Sequence, residues 1–338
     1  MTAKIGIVGL GQIGASIGLA LKSKPGMPEV IGHDKEARTA RTAENMGAVD
    51  FTTGLIGAVR DASVVFLCLP LGEMAETLKR IGPSLAEAAV LFDTAPAKRP
   101  VMAWVRESIP SGRTYVGLVP AISSSQLAAP ERGVDGARVD LFRRTVMMIV
   151  APPGTPAAVE QLAFKIAGLL GAKPMLADAL EADGIMTTAH LLPQLAASAL
   201  VEASVSVPGW TEARKLAGLP FAGVSGGIAY YDEPASIVAA ALVNSEVVVH
   251  ALDVLIASLK GMRDDIEQGN QPNVSERLHH SYKAREGWLD ERGAAAWLRE
   301  GGEPAELPAL GDQLMQMFFG NRLAERAKIK KPGREKIV

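Results

Sequence analysis

At 338 residues the chain is too long for one small domain and suits two sharing one polypeptide. Its apolar fraction of 48% and charged fraction of 21% exclude a disordered chain. Its 35 basic against 37 acidic residues, a net charge of -2, give no electrostatic footprint for nucleic acid or an anionic membrane surface.

In chain order, the first half alternates short apolar runs with amphipathic segments. Lys4–Val8, Glu29–His33, Ser63–Leu69, Ala89–Asp93 and Thr114–Val119 read as strands, bounded by Gly, Pro or Asp. Ile13–Lys22, Lys35–Met46 and Gly72–Ile81 read as helices between them. Thr145–Val150, a helix over Ala157–Leu170 and a last strand at Lys173–Ala177 follow. This rhythm predicts an α/β fold, an N-terminal doubly wound (Rossmann) parallel sheet over residues 1–178. From 179 to 338 the pattern turns helical. Ala179–Val207 and Ala235–Ile266 read as long apolar helices that bury more surface than one subunit supplies, which predicts a homodimer through this all-helical domain. Gln271–Glu286 and Gly301–Pro308 read as polar loops, and Arg322–Val338 as a basic, solvated tail within a polar C-terminal extension.

Two uncharged stretches, Ile5–Leu21 and Ile185–Val201, are the only rivals for a membrane span. The first carries five glycines and the second is broken by His190, Pro193 and Gln194, so neither a span nor a signal peptide is expected. The single cysteine, Cys68, cannot form an intrachain disulfide and suits a reducing, cytoplasmic setting. With only five histidines there is little material for a metal cage, and no metal is expected.

The first strand runs into Gly9-Leu-Gly11-Gln12-Ile13-Gly14, the G-x-G-x-x-G spacing that opens a helix. Gly9 permits the tight turn, Gly11 the approach of a pyrophosphate, and Gly14 the packing of helix on strand. The helix N-terminus offers its amides to phosphate. Asp34, twenty residues beyond Gly14 at the end of the second strand, suits the two ribose hydroxyls and repels a 2′-phosphate, so NAD is expected over NADP. Leu69, Pro70 and Asp93 fall at strand ends on the carboxyl edge, where a doubly wound sheet opens to its ligand, and complete the expected cofactor set.

These residues and those that follow resemble the prephenate/arogenate dehydrogenase family. The landmarks are Gly32-His-Asp34, Leu67-Cys-Leu-Pro70, Asp93-Thr-Ala-Pro-Ala-Lys98, Gly117-Leu-Val-Pro120, Leu192-Pro193-Gln194, Phe221-Ala222, Ile228-Ala229 and Asn244, from about residue 3 to 270. The resemblance implies a cofactor domain with an intertwined dimer-forming helical domain. It also implies oxidative decarboxylation of a small cyclohexadienyl acid in tyrosine biosynthesis. Four positions depart from the family pattern: Val119 and Gln194 stand where it has histidine, Pro96 where it has serine, and Gly227 where it has arginine. His190, one helical turn before Gln194, is then the best remaining base. Ser123, Ser124, Gln194, Tyr230 and Asn244 are the candidate substrate contacts, with Tyr231 beside them. Two other readings stay open. One is a dehydrogenase or reductase acting on another small acid or imine, although Lys215 is followed four residues later by Leu219 and gives no Lys-x-x-x-Asn pair. The other is a non-catalytic NAD-binding dimer.

Overall fold

The computed structural model describes residues 3–129, 131–228 and 234–299. Tyr230, Tyr231 and the basic tail fall outside them. Eight strands form one sheet in the order β3-β2-β1-β4-β5-β6-β7-β8. They are β1 (Lys4–Val8), β2 (Glu29–His33), β3 (Phe51–Thr52), β4 (Val64–Leu67), β5 (Val90–Asp93), β6 (Thr114–Pro120), β7 (Thr145–Val150) and β8 (Ala172–Leu176). Their crossovers are α1 (Gln12–Lys22), α2 (Ala37–Asn45), α3 (Leu55–Val59), α4 (Leu71–Ile81), α5 (Lys98–Ser108) and α6 (Ala157–Leu169).

All neighbouring strands are parallel except β6 and β7, which pair antiparallel with Gly117 opposite Val150. The sheet is otherwise the expected doubly wound parallel one, with this single pair reversed. The chain between β6 and β7 contains only short turns, among them Ser124–Gln126 and Gly133–Gly136. It supplies no crossover helix, and without one a parallel return is not made.

The central strands are buried on both faces, as covered parallel strands must be. Ile5, Ile7, Phe66 and Phe92 pack with α1 and α6 on one face, where the two phenyl rings stack at 5.4 Å. Val8, Val65, Leu67 and Leu91 pack with α4 and α5 on the other. That second layer continues into Leu191, Ala240 and Val248 of the C-terminal helices, so the helical half is seated on the α4–α5 face.

The C-terminal helices are α7 (Ala179–Met186), α8 (Leu192–Val205), α9 (Trp210–Leu216), α10 (Leu219–Ser225), α11 (Pro234–Val243), α12 (Ser245–Glu267) and α13 (Gln271–Ala294). Asp178 caps α7 by accepting from Glu181 N at 2.8 Å. The two long helices expected from sequence are each interrupted. Between α7 and α8 lies a π-helical turn, Thr187–Leu191. Pro193 explains it, since its ring lacks an N–H and crowds the preceding turn, which widens instead of breaking. The second break is at Asn244, where α11 and α12 meet at 100°.

The polar segment Gln271–Glu286 is a helix, not the expected loop. Asn270 caps α13 through Asn273 N at 3.2 Å. Asp265 of α12 then accepts from Arg277 Nε at 2.6 Å and Asn273 Nδ2 at 3.0 Å. A helix that is polar all round draws its stability from such pairs rather than from an apolar stripe. Beyond it, Lys173 Nζ donates to Trp297 O at 2.7 Å and Arg144 Nη2 to Ala294 O at 3.2 Å, so the chain returns to the β7–β8 side of the sheet.

By length and composition the run Ala179–Val205 could cross a membrane, and the single chain leaves most of it unburied.

Candidate functional site

A cleft of about 870 Å³ lies between the carboxyl edge of the sheet and the helical half. Its position follows from topology: β1 pairs with β2 on one side and β4 on the other, and the connections leave in opposite directions there.

The glycine-rich turn forms the cleft's first wall. Gly9 has φ +89°, and a Cβ there would sit 2.2 Å from Cys68 O, so only glycine fits. A Cβ on Gly14 would meet Gly9 O at 1.9 Å, which is why helix can approach strand. Gly11 differs: a Cβ there meets nothing within 4 Å, and the residue lines the cleft with Gln12 and Ile13. Gly11 caps α1 with no side-chain hydrogen bond, so the first amides of the helix are left for a ligand. A dinucleotide pyrophosphate fits this cradle. Asp34 stands beside it, its carboxylate accepting from Leu10 N at 2.8 Å and Glu36 N at 2.9 Å. Those two bonds hold the side chain at the end of β2, next to the turn.

Leu69 and Pro70 line the cleft together with Cys68. Burial pushes the Cys68 thiol up to about 12, with a Thr94 hydrogen bond opposing it, so the group stays a neutral thiol at physiological pH. Asp93, expected at the cofactor, is placed elsewhere. It is fully buried and accepts from Lys98 Nζ at 2.8 Å, Tyr115 Oη at 2.6 Å and Ala95 N at 2.8 Å. Lys98 is equally buried. Burial lowers the Lys98 ammonium against the pull of Asp93, and burial followed by the Asp93 charge raises the Tyr115 hydroxyl. This polar knot braces the floor beneath the cleft rather than touching a ligand.

On the helical wall, His190, Gln194 and Asn244 all line the cleft. His190 is half-buried in the π turn, and Gln194 Nε2 donates back to its carbonyl at 3.0 Å. Such turns concentrate at functional sites because they re-aim side chains out of the regular helix. Gln194 and Asn244 are buried. Ser123 and Ser124 are not among the lining residues, contrary to expectation. Ser123 Oγ faces Ser125 Oγ at 3.1 Å, while Ile122, Gln126 and Leu127 of the same loop reach the cleft instead.

Three lining residues escaped the sequence reading. Asp183, 1% exposed, accepts from Lys98 N at 2.5 Å and Arg99 N at 3.3 Å and so caps α5 from another helix. Burial raises its carboxyl, opposed by those amides and by an Asn244 side-chain hydrogen bond. An acid flanked by small apolar residues in a helix, two positions after Glu181, was its signal. Arg132 and Trp288 also line the cleft, and nothing in the sequence singled them out. No cluster of three His, Cys, Asp or Glu able to hold a metal occurs among the described residues.

The four departures from the family pattern converge here, since Pro96, Val119, Gln194 and Gly227 all line this one cleft. Residues 17–173 match the prephenate dehydrogenase nucleotide-binding domain. A cyclohexadienyl dehydrogenase from Zymomonas mobilis is 28% identical over 293 residues, 83% of this chain and 94% of that protein. A prephenate dehydrogenase from Lactococcus lactis is 26% identical over 200 residues, 59% of this chain. The chain spans only 53% of that relative's length. The Aquifex aeolicus prephenate dehydrogenase, solved with hydroxyphenyl propionate and NAD+, shares the fold. Its TM-score is 0.74 at 20% identity, covering 85% of this chain and 98% of that one. The domain match covers residues 17–173, and the similarity to the Zymomonas mobilis cyclohexadienyl dehydrogenase extends over both halves of the chain.

Proposed function

We propose that the protein is an NAD-dependent dehydrogenase that oxidises and decarboxylates a cyclohexadienyl acid, prephenate or arogenate, within tyrosine biosynthesis. The observation that carries this reading is the glycine cradle opening into a cleft closed by the helical half. Residues 1–178 serve as the cofactor domain and 179–338 as the substrate and dimerisation domain. Gly11, Gln12 and Ile13 with the α1 N-terminus hold the pyrophosphate, Gly9 and Gly14 give the turn its shape, and Leu69 and Pro70 flank the reactive end. Asp34 takes the ribose hydroxyls and disfavours a 2′-phosphate, so NAD is preferred over NADP. Bound NAD supplies a hydride acceptor.

His190 accepts the proton of the ring hydroxyl on an imidazole nitrogen while the carbinol hydrogen leaves as hydride. The ring carboxylate departs as carbon dioxide, and its bonding pair completes the aromatic ring. Gln194 and Asn244 hold the substrate's polar groups from the helical wall, with Tyr230 assigned to the same role.

The apolar side chains left exposed on the helical half support a homodimer. Leu216 and Leu219 are 88% and 89% exposed and Leu242 is 71%.

A second reading, a cofactor-binding dimer without turnover, draws on the same cleft, where family histidine, serine and arginine positions carry Val119, Gln194, Pro96 and Gly227. Reduced nicotinamide absorbance with NAD and either acid separates the two. The His190→Ala variant is expected to lose about 10²-fold or more in turnover with NAD affinity unchanged. Unaltered turnover removes His190 from the mechanism, and a wild-type protein that binds NAD but turns over neither acid favours the second reading.

A further inference from the structure

The cleft's charges are sharply limited. Among the described residues that line it, Asp183 carries the one carboxylate and Arg132 is the one permanent cation. A carboxylic acid entering this space meets a negative group on the helical wall, and an anion drawn out of water needs a compensating positive partner. The pyrophosphate of a dinucleotide already has the glycine turn and the α1 amides. A substrate carboxylate has no such provision on the helical wall, where position 227 is glycine.

Resting on the dehydrogenase reading above, we propose that Arg132 binds the side-chain carboxylate of the acid substrate, the one retained when the ring carboxylate leaves. Its place in the fold suits the task. Arg132 immediately precedes the Gly133–Gly136 turn, which is fastened to the cofactor helix by Gln12 Nε2 donating to Gly136 O at 3.0 Å. Arg138 N donating to Ser16 Oγ at 2.9 Å adds a second fastening. Arg132 Nη1 also donates to the carbonyls of Ala129 and Glu131. The loop that carries the guanidinium is therefore anchored to the cradle, and Arg132 lines the same cleft as His190. A planar guanidinium matches a carboxylate bidentately, and orientation of the acid against the cofactor follows from that geometry.

The test uses the full chain and calorimetry, with NAD bound first. The probes are 3-(4-hydroxyphenyl)propionate and its uncharged propanamide. Arg132→Gln should weaken the carboxylate probe by at least about tenfold and leave the amide and NAD itself unchanged. Arg132→Lys should recover part of the loss, since charge returns without the fork. A thermal melt superimposable on wild type guards against a misfolded variant. Equal carboxylate affinity in Arg132→Gln and wild type overturns the proposal while leaving the dehydrogenase reading intact. A loss confined to NAD also overturns it and assigns the cation to the cofactor phosphates. A wild-type protein that binds NAD but neither probe overturns both readings together.

Discussion

Gly11 and Gly14 stand three residues apart, yet a methyl group has opposite consequences at the two. At Gly14 it collides with Gly9 O at 1.9 Å, so Gly14→Ala should destabilise the fold by about 2 kcal/mol or more, read as a lowered urea midpoint. At Gly11 it meets no protein atom, so Gly11→Ala should melt like wild type and instead weaken NAD binding, because the new methyl occupies the space reserved for pyrophosphate. Equal effects of the two on stability would contradict the division between a packing glycine and a ligand glycine. The Asp93–Lys98 pair is the other residue-scale feature with a large consequence. Both side chains are wholly buried, so Lys98→Met strands a carboxylate in the core and should cost about 3–5 kcal/mol. Adding Asp93→Asn should restore part of that loss, since Ala95 N can still donate to the amide oxygen and the amide NH2 can donate to Tyr115 Oη.

At the scale of elements, the helical half is held to the sheet by polar caps as much as by apolar contact. Asp183 reaches from α7 to the first amides of α5 and also receives the Asn244 amide at the α11–α12 corner. Three elements therefore meet on one carboxylate. Burial raises its folded-state value above the 3.8 of the unfolded chain, so the folded protein holds the proton more tightly. The corresponding stability is fully present below about 3.8 and is lost as pH rises through the folded value. Asp183→Asn cannot titrate, so its stability relative to wild type should increase with pH across that window and then level off. Urea midpoints measured from pH 3 to 7 read this out, and a constant difference would show that Asp183 is not the group responsible. The α12–α13 junction works differently. Asn273 and Arg277 hold the Asp265 carboxyl below its usual range, and these bonds join two helices whose faces are otherwise largely solvated.

For the whole molecule, the exposed apolar surface of the helical half sets the expected assembly. Leu216 and Leu219 lie almost fully open, and Leu242, Val249, Ile256 and Ile266 of α11 and α12 are more than half exposed, which is unusual for a chain that acts alone. Leu219→Glu should shift the protein from dimer toward monomer in sedimentation velocity while leaving the sheet domain folded, and an unchanged sedimentation coefficient would remove that face from the interface.

The cofactor half was legible in the sequence because its signals are local. Strand, Gly9-x-Gly11-x-x-Gly14, helix and Asp34 lie within one crossover unit, where backbone sterics and helix-end chemistry fix the structure. The helical half was legible only as apolar composition. Its corner at Asn244 and the seating of α13 depend on contacts between elements, such as Asp183 with Asn244 and Asp265 with Arg277. Asp93 shows the limit most plainly. Its position at a strand end pointed to the cofactor, but Lys98 and Tyr115 close over it, and only the packing of β6 and α5 around that side chain decides that it serves the floor of the site. Sequence determined the cradle, because its signals lie within one crossover unit. Tertiary structure decided which charges face the cleft, because burial and pairing are properties of neighbours that the chain brings together only on folding.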